Sequence, residues 1–362
     1  MSARATIAIL DDDHIIRLVR HALGGPGEIA EQWARDFFLP EDVDPARVFA
    51  AAHGLHASDG VELIPIAAKV DVRKGTDASI LIFRRGHIDA ALMAANPRLK
   101  LIQRIGERAD SIDLAAAAAR GIQVSCLPRP SLQYTAEHAI LLMLALSKHL
   151  IEADDAVRKN RWDRERVHPE HGVAYNWAGV PRLGGLFAKT VGIIGLGEVG
   201  SIAAGIARGF GARVIYANRS RLPAEQERRL GVEHLPLDRL LAEADFVSMH
   251  ASNLPENKGL IGADIFARMK PSAYFINTSR GRMVDEEALY AALTTGVIAG
   301  AGLDVHYEEP RPPDRFAALR NVIMTPHLAG GSRTGIVDEI DGIFHNCRAV
   351  LAGQPIRHQA GR

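Results

Sequence analysis

Short apolar runs alternate with helix-length segments along most of the chain. In its N-terminal part, the apolar runs that predict strands are residues 6–10, 62–66, 79–83, 100–105 and 123–125. Strands separated by helix-length segments are typical of a parallel sheet crossed over by helices. This part therefore predicts one α/β unit. Residues 24–60 interrupt the pattern with Gly, Pro and Asp, and we interpret them as an irregular or loosely helical excursion.

The alternation becomes more regular in the second half of the chain. Predicted strands cover residues 191–194, 213–217, 246–249, 273–277, 298–304 and 322–325. Six such strands fit a doubly wound parallel sheet. Prolines at 128 and 130 precede a helix-like segment at 136–149, which places a domain boundary near residue 127. A polar stretch at 152–185 then predicts an arm or lid.

Composition limits the classes of function. A length of 362 residues favours two domains. The counts of basic and acidic side chains are equal, 43 each, so no charge excess predicts binding to nucleic acid or to an anionic membrane. Only Cys126 and Cys347 are present, no signal peptide is recognisable, and the longest apolar run is too short to span a bilayer. We expect a cytoplasmic protein without a metal site.

The motif GLGEVG at 195–200 follows an apolar strand and opens an amphipathic helix, which is the context that a dinucleotide-binding motif requires. Gly195 permits the tight turn, Gly197 lets the backbone approach a pyrophosphate, and Gly200 lets the helix pack closely on the strand. The N–H groups of Glu198 and Val199 and the helix dipole are expected to hold the anion.

The end of the next strand indicates which dinucleotide binds. An NAD-binding unit places an acidic residue there for the ribose 2′-hydroxyl, but this chain has Asn218, Arg219, Ser220 and Arg221. An amide, a hydroxyl and two guanidinium groups accept a 2′-phosphate that a carboxylate would repel. The sequence favours NADP, with NAD possible if the two arginines are only solvated surface charges.

Later strands end in residues suited to redox chemistry. Arg280 follows one strand in a loop whose Asp285 is a good helix N-cap, Asp304 ends the next strand, and His327 ends the last one. Taken singly, Asp304, Glu309 and His327 also fit ordinary capping, solvated and partly buried roles. Together, Arg280, Glu309 and His327 supply an arginine that can clamp a carboxylate, an acid, and a group that orients the acid. Hydride transfer to a 2-oxo acid needs this set.

Several motifs in the same order resemble the D-isomer-specific 2-hydroxyacid dehydrogenase family from about residue 99 to residue 353. They are LIQRIGERADSIDL, AEHAILLMLAL, AKTVGIIGLGEVG, MKPSAYFINTSRGRMVDEEAL, GLDVHYEEP and NVIMTPHLAGGS. The resemblance implies a flavodoxin-like α/β substrate domain, 1–127 with 334–362, and a Rossmann doubly wound parallel sheet domain, 128–333, inserted into it. It also implies an active site in the cleft between them, and a homodimer formed through the cofactor domain and its arm at 136–180.

The resemblance also assigns roles to single residues. Arg280 binds the substrate carboxylate and polarises the 2-oxo group. Glu309 pairs with His327, whose imidazolium donates a proton as hydride arrives at the 2-carbon. Asp304 holds the nicotinamide carboxamide, and Thr278 belongs to the cofactor-binding residues.

Two arginines depart from the family pattern. A glycine-rich loop usually grips the substrate carboxylate, whereas this chain reads GERAD, with Arg108 at a glycine position and Ala109 after it. We include Arg108 and Ala109 among the substrate-binding residues. Arg108 is interpreted either as a second anionic clamp or as a solvent-facing side chain. Arg129 also occupies a usual glycine position.

We therefore expect an oxidoreductase that moves hydride between NADPH and a small 2-oxo acid resembling glyoxylate or hydroxypyruvate, giving the D-2-hydroxy acid. Two alternatives stay open. One is a family relative that acts on phosphite. The other is a nucleotide-sensing binding protein like the corepressors that share this fold. Glu309 argues against a formate dehydrogenase, which would pair its histidine with glutamine.

Overall fold

The computed structural model describes residues 4–10, 14–39, 41–64, 77–161, 175–252, 255–310, 314–331 and 333–361. The chain divides into two compact units. Unit 1 consists of Met1–Ser131 with Gly331–Arg362, and unit 2 is Leu132–Gly330. Unit 2 is thus an insertion in the sequence of unit 1.

Unit 1 contains a parallel five-stranded sheet. Its strands are β1 (Ala5–Ile9), β2 (Val61–Ile64), β3 (Ile80–Phe83), β4 (Leu101–Ile105) and β5 (Gln123–Leu127). Their spatial order, β2-β1-β3-β4-β5, is that of flavodoxin-like folds. The apolar runs form strands because both faces of the sheet are buried, so every position in β3, for example, is apolar.

Unit 2 contains a parallel seven-stranded sheet in the order β12-β11-β10-β9-β6-β7-β8. Its strands are β6 (Thr190–Ile194), β7 (Arg213–Ala217), β8 (Glu233–His234), β9 (Phe246–Met249), β10 (Tyr274–Asn277), β11 (Gly300–Leu303) and β12 (Val322–Met324). The chain runs outward in opposite directions from β6 and from β9, so the strand order reverses between them. In Rossmann-type sheets, ligands bind at the carboxyl ends of the strands at this point.

Fourteen α-helices flank the two sheets among the residues that the structure describes. They are α1 (His14–Gly24), α2 (Glu28–Phe37), α3 (Ala46–Ala51), α4 (Ala90–Ala95), α5 (Leu114–Ala119), α6 (Ser131–Ser147), α7 (Leu150–Arg158), α8 (Glu198–Gly209), α9 (Ala224–Leu230), α10 (Leu237–Glu243), α11 (Ala263–Phe266), α12 (Glu286–Thr294), α13 (Asp314–Ala317) and α14 (Thr334–Leu351). No helix in the described parts of the chain is long and apolar enough to cross a membrane.

The structure corrects the interpretation of residues 24–60 as irregular or loosely helical. They form α2, α3 and a single 3-10 turn at Ala57–Asp59. Phe38, Val48 and Leu55 are buried in the core that also contains α14. Arg348 of α14 donates to the carbonyl oxygen of Ala51 at 2.6 Å. The segment is therefore an ordered helical part of unit 1.

The unit 2 sheet has seven strands where the sequence predicts six. The additional strand, β8, has only two residues and pairs with β7 through Ile215 and Tyr216. Two residues are too short for an alternating pattern to be recognised. Of the predicted arm at 152–185, residues 162–174 lie outside the described part of the chain.

Candidate active site

The turn after β6 leaves room for a phosphate next to the start of α8. Gly195 has a φ of +95°, and a Cβ there would lie 2.5 Å from the backbone nitrogen of Ala251. A Cβ on Gly200 would lie 2.6 Å from the carbonyl oxygen of Gly195. A Cβ on Gly197 would meet no described atom within 4 Å, so open space lies at this position. Gly197 caps α8 without a side-chain hydrogen bond, and the helix begins with Glu198 and Val199.

The residues after β7 serve different purposes. Asn218 accepts a hydrogen bond from the backbone N–H of Leu196 at 2.7 Å, and so holds the phosphate loop. Arg221 forms a two-pronged pair with Glu227, with its Nε and Nη2 at 2.9 and 2.8 Å from the two carboxylate oxygens. Arg219 pairs with Glu256 at 3.0 Å, and Ser220 is exposed. Arg221 therefore forms a structural ion pair with Glu227, which the sequence did not predict.

The surroundings of Glu227 stabilise its ion pair with Arg221. It is buried, and the hydroxyl of Tyr216 donates to its Oε1 at 2.6 Å. The hydrogen bonds from Arg221 and Tyr216 lower the pKa of Glu227 to about 2. Burial, and then the bond to Glu227, raise the pKa of Tyr216 to about 12. The carboxylate thus stays ionised and the phenol stays protonated over the whole physiological range.

The turn after β10 presents Arg280. Asn277 is buried and fixes this turn, because its Oδ1 accepts from the N–H of Ser279 at 3.0 Å and its Nδ2 donates to the carbonyl oxygen of Arg280 at 3.1 Å. The Arg280 side chain is exposed. Gly281 follows it, and any Cβ there would collide with the carbonyl group of His306. The Arg280 turn therefore packs directly against the segment that leads to Glu309.

Glu309 and His327 form a hydrogen-bonded pair. The Nδ1 of His327 lies 2.7 Å from Glu309 Oε2, and the other carboxylate oxygen accepts from the backbone N–H of His306 at 3.1 Å. Burial would raise the pKa of Glu309, but these two hydrogen bonds outweigh it and hold the pKa below its ordinary value. The His327 side chain is 42 % exposed, so its Nε2 edge can reach a ligand. The paired residues are those that the sequence predicts.

Asp304 holds the turn that carries His327. It is fully buried, and its carboxylate accepts from the hydroxyl of Thr325 at 2.6 Å and from the N–H groups of Leu328 and Ala329 at 2.9 Å each. His327 itself has a left-handed backbone with a φ of +55°. This conformation costs about 1–3 kcal/mol in a residue other than glycine. Asp304 therefore has a structural role in this turn, and its predicted contact with nicotinamide stays a prediction.

His138 of α6 extends this network. Its Nε2 lies 2.9 Å from the Thr325 hydroxyl and 3.6 Å from Asp304 Oδ1. Burial lowers the pKa of His138, although the charge of Asp304 opposes this effect. Because Thr325 donates its proton to Asp304, it accepts one from His138. His138 therefore supports the turn that carries His327 through the Thr325 hydroxyl.

Unit 1 carries the other predicted substrate residues. Arg108 and Ala109 are partly exposed in the loop after β4. Arg129 is buried, with its Nε 3.5 Å from Glu339 Oε2, and Glu339 also accepts from the hydroxyl of Ser131 at 2.5 Å. The ion pair with Glu339 thus gives Arg129 a structural role within unit 1.

The family model for the NAD binding domain of D-isomer specific 2-hydroxyacid dehydrogenases matches residues 140–329. The chain belongs to this family. It is an oxidoreductase with a nicotinamide cofactor and a Rossmann-type domain. Among the residues that the structure describes, no cluster of three or more His, Cys, Asp or Glu side chains could hold a metal ion.

Glyoxylate reductases and D-3-phosphoglycerate dehydrogenases are among the relatives of this chain. A glyoxylate reductase of Korarchaeum cryptofilum is 38 % identical over 270 residues, which cover 74 % of this chain and 78 % of that protein. A D-3-phosphoglycerate dehydrogenase of Synechocystis is 34 % identical over 309 residues, 82 % of this chain but 53 % of that protein. The chain thus spans about half the length of this second relative.

A solved structure of an NADPH-dependent glyoxylate/hydroxypyruvate reductase from Sinorhizobium meliloti, in complex with NADP and malonate, is also similar. It is 26 % identical with a TM-score of 0.56, and the match covers 99 % of this chain and 97 % of that one. This similarity agrees with the fold described above and with membership of the 2-hydroxyacid dehydrogenase family.

The residues present fit a dinucleotide. Gly197 leaves open space at the start of α8, where the helix N-terminus favours an anion. Thr278 is buried, and its hydroxyl oxygen makes no hydrogen bond in the structure. A buried polar atom without a partner costs about 1–3 kcal/mol, so a bound polar group at Thr278 would remove that cost. This favours the assignment of Thr278 to the cofactor site.

Proposed function

We propose that the protein is an NADPH-dependent reductase that converts a small 2-oxo acid, similar to glyoxylate or hydroxypyruvate, into the D-2-hydroxy acid. The His327–Glu309 hydrogen bond of 2.7 Å carries this proposal. The pair lies at the carboxyl end of the sheet that also carries the phosphate loop, and it supports a role for His327 as a proton donor that the Glu309 anion orients.

Arg280 binds the substrate carboxylate in this mechanism. Its guanidinium is exposed on a turn that Asn277 fixes from below, and a fork of N–H donors matches a carboxylate in two places. The positive charge also polarises the adjacent 2-oxo group. The bound cofactor supplies the hydride that reduces the 2-carbon.

His327 supplies the proton. Because Glu309 accepts from Nδ1, the Nε2–H of the imidazolium is the proton that faces a ligand. As the 2-carbon gains hydride, the carbonyl oxygen takes the Nε2 proton and becomes the hydroxyl group. The hydrogen bond to Glu309 holds the ring in place, while the Asp304 network holds the backbone of the turn.

A phosphorylated or dicarboxylic 2-oxo acid is a second candidate substrate, favoured by one observation in unit 1. Arg104 is the penultimate residue of β4, shortly before the loop of Arg108 and Ala109, and its Nε and Nη1 are buried without a hydrogen-bond partner. Its nearest ionic partner among the described residues, Asp110, lies 3.9 Å away. An anionic group of a ligand would satisfy these donors.

We further propose a homodimer formed through unit 2, located in the cytoplasm. Leu150, Ile151 and Val157 on α7 are at least half exposed, beside a groove of about 1420 Å³. Covering apolar side chains of this size is favourable, and a second copy of the chain can supply the matching surface. The two cysteines are buried free thiols, which suit a reducing compartment.

The test is NADPH oxidation at 340 nm with glyoxylate, hydroxypyruvate and phosphohydroxypyruvate, for wild type and His327→Asn. Asparagine tolerates the left-handed backbone, so the variant should fold and bind cofactor while kcat falls about 10²- to 10⁴-fold. His149→Asn is a matched control, because His149 also has a left-handed backbone with a φ of +49°. Full activity of His327→Asn would refute the assignment of the proton donor. A preference for phosphohydroxypyruvate would favour the second candidate.

A further inference from the structure

An ion pair joins the two loops on either side of the phosphate loop. β6, which leads into Gly195, lies between β7 and β9 in the sheet. Arg219 follows β7 and Glu256 follows β9, and their side chains meet with Nη1 3.0 Å from Oε1. The pair therefore spans the carboxyl end of β6, the place where a Rossmann-type sheet receives the adenosine half of a dinucleotide.

Both loops are anchored by other contacts. The side chain of Asn257 donates to the carbonyl oxygen of Ser252 at 2.7 Å, which fastens the turn that carries Glu256. Asn218 binds the backbone of Leu196, which fixes the start of the opposite loop. A hydrogen bond from its own backbone N–H, and then that from Arg219, hold the pKa of Glu256 below its ordinary value. Glu256 is therefore a fixed negative charge at neutral pH.

Of the two arginines in this loop, Arg219 is the one that can change its ion-pair partner. Arg221 is held by the buried carboxylate of Glu227 at two atoms. Arg219 is 73 % exposed, and its ion-pair partner among the described residues, Glu256, is 55 % exposed. An exposed pair of this kind contributes little to stability. An incoming phosphate, with about two negative charges, can displace a single carboxylate from it.

We propose that Glu256 is a specificity-determining residue, which competes with the 2′-phosphate of NADPH for Arg219. On NADPH binding, Arg219 turns from Glu256 to the phosphate, and the freed carboxylate repels the same phosphate. NADH has no such group, so its binding leaves the Arg219–Glu256 pair in place. Glu256 thus reduces the preference for NADPH that Arg219 provides. This inference rests on the proposed preference for NADPH.

The experiment measures the Kd of NADPH and of NADH by calorimetric titration for wild type, Glu256→Gln, Arg219→Ala and the double variant. Glutamine keeps the size of the side chain and removes its charge. We expect Glu256→Gln to tighten NADPH binding about two- to fivefold, the range of an exposed ion pair, and to leave NADH binding unchanged. In the Arg219→Ala background, Glu256→Gln should have no effect on either cofactor.

A matched control is Glu233→Gln. Glu233 also forms an exposed ion pair in unit 2, with Arg213 at 2.6 Å, but Arg213 begins β7 at the opposite edge of the sheet. Removing the charge of Glu233 should leave both Kd values unchanged. A change in either value would indicate a general effect of charge.

Three results would overturn the inference. In the first, Glu256→Gln weakens NADPH binding or leaves the ratio of the two Kd values unchanged. In the second, Glu256→Gln tightens NADPH binding equally in the Arg219→Ala background, because Glu256 then does not act through Arg219. In the third, Arg219→Ala leaves NADPH binding intact. This last result alone would also remove the basis for the proposed NADPH preference, so the two failures are distinguishable.

Discussion

Replacing Asp304 with Asn tests whether this carboxylate holds the turn that carries His327. The wild-type side chain receives two backbone N–H groups and a hydroxyl, and is fully buried. An amide has one acceptor oxygen and one NH2 group. Whichever way it is turned, its NH2 group faces the N–H of Leu328 or of Ala329. At least one buried donor then loses its acceptor.

The cost follows from this count. A buried donor left without an acceptor costs about 1–3 kcal/mol, and a domain of this size loses about 2–4 °C in Tm per kcal/mol. We therefore expect unit 2 to unfold about 4–8 °C lower in Asp304→Asn, for a central cost of about 2 kcal/mol. The left-handed backbone of His327 is no longer secured, so we expect kcat to fall about 10²-fold or more as the ring leaves its position.

The assay combines calorimetric unfolding, kcat for 2-oxo acid reduction and the Kd of NADPH. Asp285→Asn is the control, because the exposed Asp285 caps α12 through the N–H of Ala288 and asparagine caps equally well. An Asp304→Asn enzyme with wild-type Tm and kcat would refute the structural role. Unchanged Tm and kcat/KM with a weaker NADPH Kd would instead assign Asp304 to the nicotinamide alone.

Two further predictions concern the proton donor and the assembly. Glu309→Gln is expected to lower kcat about 10²-fold at neutral pH. Because the pKa of Glu309 is held below 4.5, its anion acts fully above that pH and is lost as the pH falls through the lowered value. A pH–rate comparison should thus show the two enzymes converging only in acid, and equal rates at pH 7 would contradict the role. Ile151→Glu, at a side chain 63 % exposed on α7, is expected to convert a dimer into monomers in light scattering, whereas Ile29→Glu in unit 1 is not; a monomeric wild type would contradict the proposed assembly.

Local patterns made much of the fold and site predictable. All strands except the two-residue β8 are short apolar runs, so they could be located from their own residues. The phosphate loop was predictable because glycine is required where φ is +95° and where a Cβ would meet Gly195. The N-cap of α12 by Asp285 is confirmed, since its side chain accepts from Ala288. Glu309 and His327 were paired through the resemblance, and they lie within hydrogen-bond distance.

What the sequence did not reveal depends on contacts between distant segments. The Gly- and Pro-rich signals at 24–60 mark where helices end, but not that Phe38 and Val48 are buried against α14. The contact of Arg221 with Glu227 was not predictable, because Glu227 lies on α9, whose packing the sequence does not show. No local pattern in the sequence points to Glu256, because it contacts Arg219 only once the fold has placed their two loops on either side of β6.

Asn218, Asn277 and Asp304 share a common arrangement. In three loops, a polar residue that ends or directly follows a strand accepts one or more backbone N–H groups, and it holds a loop that carries candidate site residues. Asn218 holds the phosphate loop, Asn277 holds the turn of Arg280, and Asp304 holds the turn of His327. A loop at the carboxyl edge of a parallel sheet exposes its backbone polar groups, and they need partners. Substitution of an anchor is therefore expected to alter substrate or cofactor use without any direct contact to either.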